Sequence, residues 1–168
     1  MEKILIVDDS LVQATQLKAI LADAYDVTIS QTAEDGLSRA SSENYSLILL
    51  DVVMPGMDGF TLLKKLQEEI VTQYVPVILI TSLADVEHEQ HGLVLGAVDY
   101  ITKPFRPPVV KARVNTHIKL YNYRRRLEQQ SMTDQLTGIA NRRKYEHHSM
   151  TKWHEAARLQ VPFSVCMF

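Results

Sequence analysis

Five short runs of aliphatic and β-branched residues punctuate the chain: KILIV at 3–7, DVTIS at 26–30, SLILL at 46–50, PVILI at 76–80 and AVDYI at 97–101. The central runs are apolar without alternation, the pattern of strands buried on both faces. Between the runs, apolar positions fall every three or four residues, at Leu11, Ala14, Leu17, Leu21 and Ala24, and again at Leu62, Leu63, Leu66 and Ile70. That spacing predicts amphipathic helices. TAED at 32–35 has the form of a capping box opening the second helix. Strands alternating with helices predict βαβ units, hence an α/β fold with a doubly wound five-stranded parallel sheet.

Past Ile101 the pattern changes. Pro107 and Pro108 suit the first turn of a helix, where a missing N–H is harmless, and nothing interrupts helical continuity until about Gln130. Such a helix spans roughly 35 Å at about 1.5 Å per residue, too long for one face of the preceding domain. Val110, Val114, His117 or Ile118, Tyr121 and Leu127 form an imperfect stripe at heptad-like spacing, which predicts a stalk-like linker with a parallel dimer seam. Arg124, Arg125 and Arg126 lack interleaved aromatics, so they read as a solvated helix face rather than a nucleic-acid patch.

Composition narrows the class. A chain of 168 residues admits one full domain plus a smaller piece. With 46% hydrophobic and 23% charged residues and a formal net charge of -2, it is neither generally nucleic-acid-binding nor suited to a membrane surface. No apolar run reaches the roughly 18 residues a membrane span needs, and MEKILIVDDS is too short and acidic for a signal peptide. A lone cysteine, Cys166, excludes an internal disulfide, and a cytoplasmic location is expected.

Candidate chemistry follows from the predicted sheet. Ligands of doubly wound folds gather outside the carboxyl ends of the strands. Those ends carry Asp8 and Asp9 after the first strand, Asp51 after the third, Thr81 after the fourth and Lys103 beyond the fifth. Each alone has an ordinary reading: Asp51 a turn residue, Thr81 a helix cap, Tyr100 a half-buried strand aromatic, Lys103 a solvated surface lysine. Together they are complementary. Three crowded carboxylates call for a hard divalent cation such as Mg2+, which takes few protein oxygens and keeps waters. A lysine and a hydroxyl beside it suit the oxygens of a phosphoryl group moving onto an aspartate nucleophile. Pro55, Gly56 and Gly59 in MPGMDG suit a tight loop beside this site. His88, His91 and His117 have no acidic or cysteine partner at ligand spacing and read as surface or interface residues.

ILIVDDS, LILLDVVMPGMDG, VILITS and DYITKPF resemble, in order and spacing, the receiver domain of bacterial two-component response regulators, over residues 1–120. The resemblance implies flavodoxin-like topology with strand order 2-1-3-4-5. It implies that Asp51 accepts a phosphoryl group from a sensor histidine kinase. Mg2+ would be held by Asp8, Asp9, Asp51 and the backbone carbonyl of Val53. Lys103 would contact the phosphoryl group, and Thr81 with Tyr100 would form the switch pair. It also implies a cis Lys103–Pro104 bond, and homodimerisation through the face of the fourth helix, fifth strand and fifth helix. A helical linker over 121–132 is then expected.

Over 133–168, TDQLTGIANRRKYE resembles the entry segment of the GGDEF domain of diguanylate cyclases, with the D-x-L-T-G-[apolar]-x-N-R-R signature at Asp134 to Arg143. The G-G-D-E-F loop itself is absent from these 168 residues, so no cyclic di-GMP synthesis is expected of this stretch alone. The resemblance implies cyclase output in a longer parent, against the alternative of a stand-alone receiver acting by protein contacts. A haloacid-type phosphatase, which also uses an aspartyl nucleophile, is disfavoured because no D-x-D follows a strand.

Overall fold

The computed structural model describes residues 1–82, 91–130, 142–162 and 164. The elements are β1 (Lys3–Val7), α1 (Leu11–Leu21), β2 (Asp26–Ser30), α2 (Ala33–Ser42), β3 (Leu47–Asp51), α3 (Gly59–Glu68) and β4 (Val77–Ser82), then helical residues 91–94 (α4), β5 (Asp99–Lys103), α5 (Pro107–Gln130) and α6 (Arg142–Leu159). The chain divides into two compact units, Met1–Asn122 and Tyr123–Phe168. His88, residues 133–141 of the cyclase-like segment and Cys166 lie outside the described residues.

In the first unit all five strands are parallel, in the order β2-β1-β3-β4-β5. The unalternating apolar runs are explained by two cores. Ile4, Ile6, Leu47, Leu49, Ile78 and Ile80 point to the face covered by α1 and α5, whereas Leu5, Val7, Ile48, Leu50, Val77 and Leu79 point to the face covered by α2 and α3. Burying such a side chain stabilises the fold by roughly 1.5–3 kcal/mol. From β1 the chain runs outward to β2 and then returns to the other side of β1. The switch point therefore lies between β1 and β3, the two strands with the most deeply buried carboxylates at their ends.

The predicted runs of β3, β4 and β5 begin one or two residues too early and stop one or two residues too soon. Asp51 is the last residue of β3 and pairs with Ile80, while Thr81 and Lys103 also belong to their strands, paired with Thr102 and Ser82 respectively. Ladder pairing continues to the rim, so these polar side chains are fixed by sheet geometry rather than by loops.

Three stripe positions depart from expectation. Leu11, the first residue of α1, is 53% exposed. Ala24 lies beyond the helix, because the N–H groups of Ala24 and Tyr25 both turn back onto the Leu21 carbonyl. Ile70 falls after α3, where Glu69 leaves helical geometry with ψ 129°.

The N-cap half of the capping box is present: Thr32 Oγ1 accepts from the Asp35 N–H at 3.2 Å, while the Asp35 carboxylate accepts from Arg39 Nε at 2.7 Å. Thr32→Ala is expected to cost about 1 kcal/mol, read as a lower urea midpoint with unchanged slope; an unchanged midpoint would show that water replaces the cap.

Pro107 and Pro108 do open α5. The seam expectation is corrected over its first half. Val110, Val114 and Ile118 are fully or almost fully buried in the core with α1, so the sheet already occupies them. Leu127 is 66% exposed.

In the second unit, α6 ends in a paired-bond cap in which Gln160, at φ 52°, donates to the Ala157 carbonyl at 3.4 Å and Val161 N–H donates to the Ala156 carbonyl at 3.0 Å. Ala156 is buried, while Tyr145, Met150 and Trp153 are exposed.

Candidate functional site

Parallel strands that end at one rim present their last side chains together. Asp8 follows β1 and is fully buried; its Oδ1 accepts the Ser10 N–H at 2.9 Å, a local turn that the D-D-S spacing signals. Asp51, ending β3, is 4% exposed. Asp9 is exposed. One carboxylate oxygen from each of the three lies within 4.8 Å of the others.

Lys103 ends β5, and its Nζ donates to Asp51 Oδ2 at 2.9 Å. The same nitrogen is 3.9 Å from Asp8 Oδ2, an ion-pair distance but too long for a hydrogen bond. Asp8 Oδ2 accordingly has no hydrogen-bond partner despite its burial. Burial pushes the Asp8 carboxyl up to about 6; the Ser10 N–H opposes this, the charge of Asp51 adds to it, Lys103 opposes, and Asp9 adds. A buried carboxylate oxygen without a hydrogen bond, beside two further carboxylates, fits the donor set of a hard divalent cation.

The backbone around Asp51 depends on one glycine. Gly59 N–H donates to the Val52 carbonyl at 3.0 Å, and a Cβ at position 59 would stand 2.2 Å from the Asp51 carbonyl oxygen. Only glycine permits that approach. Asp58 caps α3 by accepting the Thr61 N–H at 2.7 Å, and Gly56 turns the loop at φ 80°. Val53, the first loop residue facing solvent, is 68% exposed. The Lys103–Pro104 bond is cis.

Of the residues singled out from sequence, Asp8, Asp9, Asp51 and Lys103 are brought together. Thr81 follows Ile80, the register partner of Asp51, on the neighbouring strand, but its hydroxyl donates to the Ser82 carbonyl at 3.4 Å. Tyr100 is half-buried on β5, packed against the core with α2 and α3. His91 meets the Phe60 ring edge-on at 4.9 Å. His117 corrects the sequence reading, because its Nε2 lies 3.1 Å from Asp99 Oδ2. That acidic partner is 18 residues away and carries no local signal.

Comparison with known proteins agrees with this geometry. Residues 4–115 match the family described as the response regulator receiver domain. A probable cyclic di-GMP phosphodiesterase of Vibrio cholerae is 37% identical over 116 residues, covering 69% of this chain and 26% of that protein. Response regulator PleD of Caulobacter vibrioides is 40% identical over 115 residues, covering 68% of this chain and 25% of its own length. The chain thus spans about a quarter of the length of these two relatives. Among solved structures, a CheY-like receiver domain protein from Methanospirillum hungatei superposes with TM-score 0.68 at 30% identity, over 74% of this chain and 98% of the other. The chemotaxis response regulator CheY4 of Vibrio cholerae gives 0.65 at 29%, over 70% and 98%.

Proposed function

This chain belongs to the response regulator receiver family, and from that premise we propose that Asp51 accepts a phosphoryl group from the phosphohistidine of a sensor histidine kinase in the cytoplasm. The observation that carries the reading is the Asp51 carboxylate at the sheet rim, 2.9 Å from Lys103 Nζ and beside an unpartnered Asp8 oxygen.

Asp8, Asp9, Asp51 and the Val53 carbonyl would hold Mg2+, which when bound supplies charge neutralisation for carboxylates and phosphoryl oxygens. An Asp51 oxygen attacks phosphorus, the P–N bond breaks, and the electron pair leaves with the donor imidazole. Lys103 exchanges its bond to Asp51 for one to a phosphoryl oxygen, keeping its charge paired. Leu11, Val12 and Val53, exposed at the same end of the sheet, offer the kinase an apolar rim. Thr81 gives up a bond to Ser82 that is already long and turns to the phosphoryl group, and Tyr100 moves into the space it leaves. The phosphoryl group shifts this equilibrium only as far as it interacts differently with the two states.

Output passes to the face of α4, β5 and α5, where Leu93, Val94 and Val98 are exposed, and a homodimer forms there. Residues 121–132 link this receiver to a segment of GGDEF type beginning at 133, as the D-x-L-T-G signature supports, and the parent protein makes cyclic di-GMP.

Acetyl phosphate with Mg2+ is expected to add one phosphoryl group by mass spectrometry of the intact chain, and a chelator is expected to abolish the gain. Equal uptake in chelator would remove the metal from the mechanism, and no uptake under either condition would sink the phosphoacceptor reading.

A further inference from the structure

Outside the site, Asp99 is a carboxylate with three hydrogen-bond donors. It opens β5, the edge strand, and its Oδ1 accepts the Tyr100 N–H at 2.9 Å and a bond from Arg113 Nη1, while His117 Nε2 donates to Oδ2 at 3.1 Å. Arg113 and His117 stand one turn apart on α5. The Asp99 and His117 side chains are 16% and 17% exposed, so water competes weakly for these bonds. Burial pushes the Asp99 carboxyl up, but the bonds from Arg113, the Tyr100 N–H and His117 outweigh it and hold the group below the usual carboxylate range.

The same guanidinium has a second contact. Its carbon lies 5.5 Å from the centroid of the Tyr100 ring, within cation–π range. Tyr100 packs with the core under α2 and α3, whereas Val110 and Val114, flanking Arg113 on α5, pack in the opposite core. Arg113 therefore reaches round the edge strand and ties α5 to a ring on the other face. A cavity of about 50 Å³, lined by Tyr100, Arg106, Val109 and Arg113, leaves this contact room to change.

We propose that Asp99, Arg113 and His117 form a clamp that positions Tyr100 and sets the balance between its two states, coupling the ring to α5. This rests on reading Tyr100 as the switch residue. Arg113 touches the ring, Asp99 aims Arg113, and His117 completes the carboxylate; all three are positioning residues. An inward turn of the ring gives up the guanidinium, so the clamp favours the state with no phosphoryl group.

The test uses the full chain labelled with 3-fluorotyrosine, with the Tyr100 fluorine resonance assigned through Tyr100→Phe and titrated with beryllofluoride in Mg2+. Arg113→Ala is expected to move that resonance toward its beryllofluoride-bound position before any is added, and to lower the titration midpoint about two- to fivefold. Asp99→Asn is expected to act in the same direction, and Arg113→Lys to fall between Arg113→Ala and wild type. If Arg113→Ala does not fold, His117→Ala, which removes one donor of three, carries the same direction at smaller size. A lowered melting temperature with an unmoved resonance, or a midpoint unchanged or raised, would overturn the clamp. A wild-type Tyr100 resonance that ignores beryllofluoride would instead overturn the reading of Tyr100.

Discussion

Asp51→Asn is expected to abolish phosphoryl uptake from acetyl phosphate while leaving the fold intact. The amide matches the carboxylate in shape and still offers Lys103 Nζ an oxygen at the 2.9 Å position, so packing at this site, only 4% exposed, is preserved. What disappears is the anionic oxygen proposed to attack phosphorus, along with one of the charges proposed to draw a cation. Asp8 and Asp9 remain within 4.8 Å, but Asp8 is held by the Ser10 N–H and Asp9 is exposed on the loop. Intact-mass spectrometry after acetyl phosphate treatment reads the outcome directly. Wild-type-like labelling of the variant, with the modification mapped to another residue, would move the acceptor away from Asp51.

Asp8→Asn is expected to stabilise the protein without metal at pH 7, to remove the Mg2+-dependent gain in stability, and so to separate function from folding. Burial raises the Asp8 carboxyl from its ordinary value of 3.8 to about 6, so the folded state binds this proton more tightly than the unfolded chain does. The stabilising contribution of the protonated group is full below about pH 4 and is lost as pH rises through about 6. Above that, the ionised group costs the fold on the order of 3 kcal/mol, the linkage equivalent of the raised value. An amide has no charge to desolvate, so a gain of about 1–3 kcal/mol is expected in urea unfolding at neutral pH.

Asp35, Asp58 and Asp99 are held below the usual range and contribute in the opposite sense, losing stability as pH falls through their folded values. The wild-type minus variant difference isolates Asp8, and it should grow between about pH 4 and 6 and then level off. Mg2+ is expected to stabilise wild type by mass action, and that term should vanish in the variant. A variant less stable than wild type at pH 7 without metal would show that the carboxylate is not strained there.

Much of this molecule follows from local chemistry. Ile4 to Val7 and Leu47 to Leu50 could be read as doubly buried strands because every position is apolar, and both cores use them alternately. Thr32 could be read as a cap because its partner is three residues away. Asp8, Asp51 and Lys103 were legible for a different reason: once the sheet is parallel, residues at strand ends must share a rim, whatever their separation in the chain.

Other features depended on packing. The α5 stripe at 110, 114 and 118 fits either a seam between helices or a contact with the sheet, because spacing alone does not name the partner; its burial with α1 decides in favour of the sheet. His117 had no visible acidic partner because Asp99 lies on another element, and only the docking of α5 beside the edge strand brings them to 3.1 Å. The sequence by itself determined the strands, the caps and which residues meet at the rim, since these rest on periodicity, nearest-neighbour bonds and the shared end of parallel strands. Only the tertiary structure decided which face α5 buries, that Asp8 keeps an unpartnered oxygen, and that Arg113 reaches the Tyr100 ring, since each depends on distances between elements that no local pattern encodes.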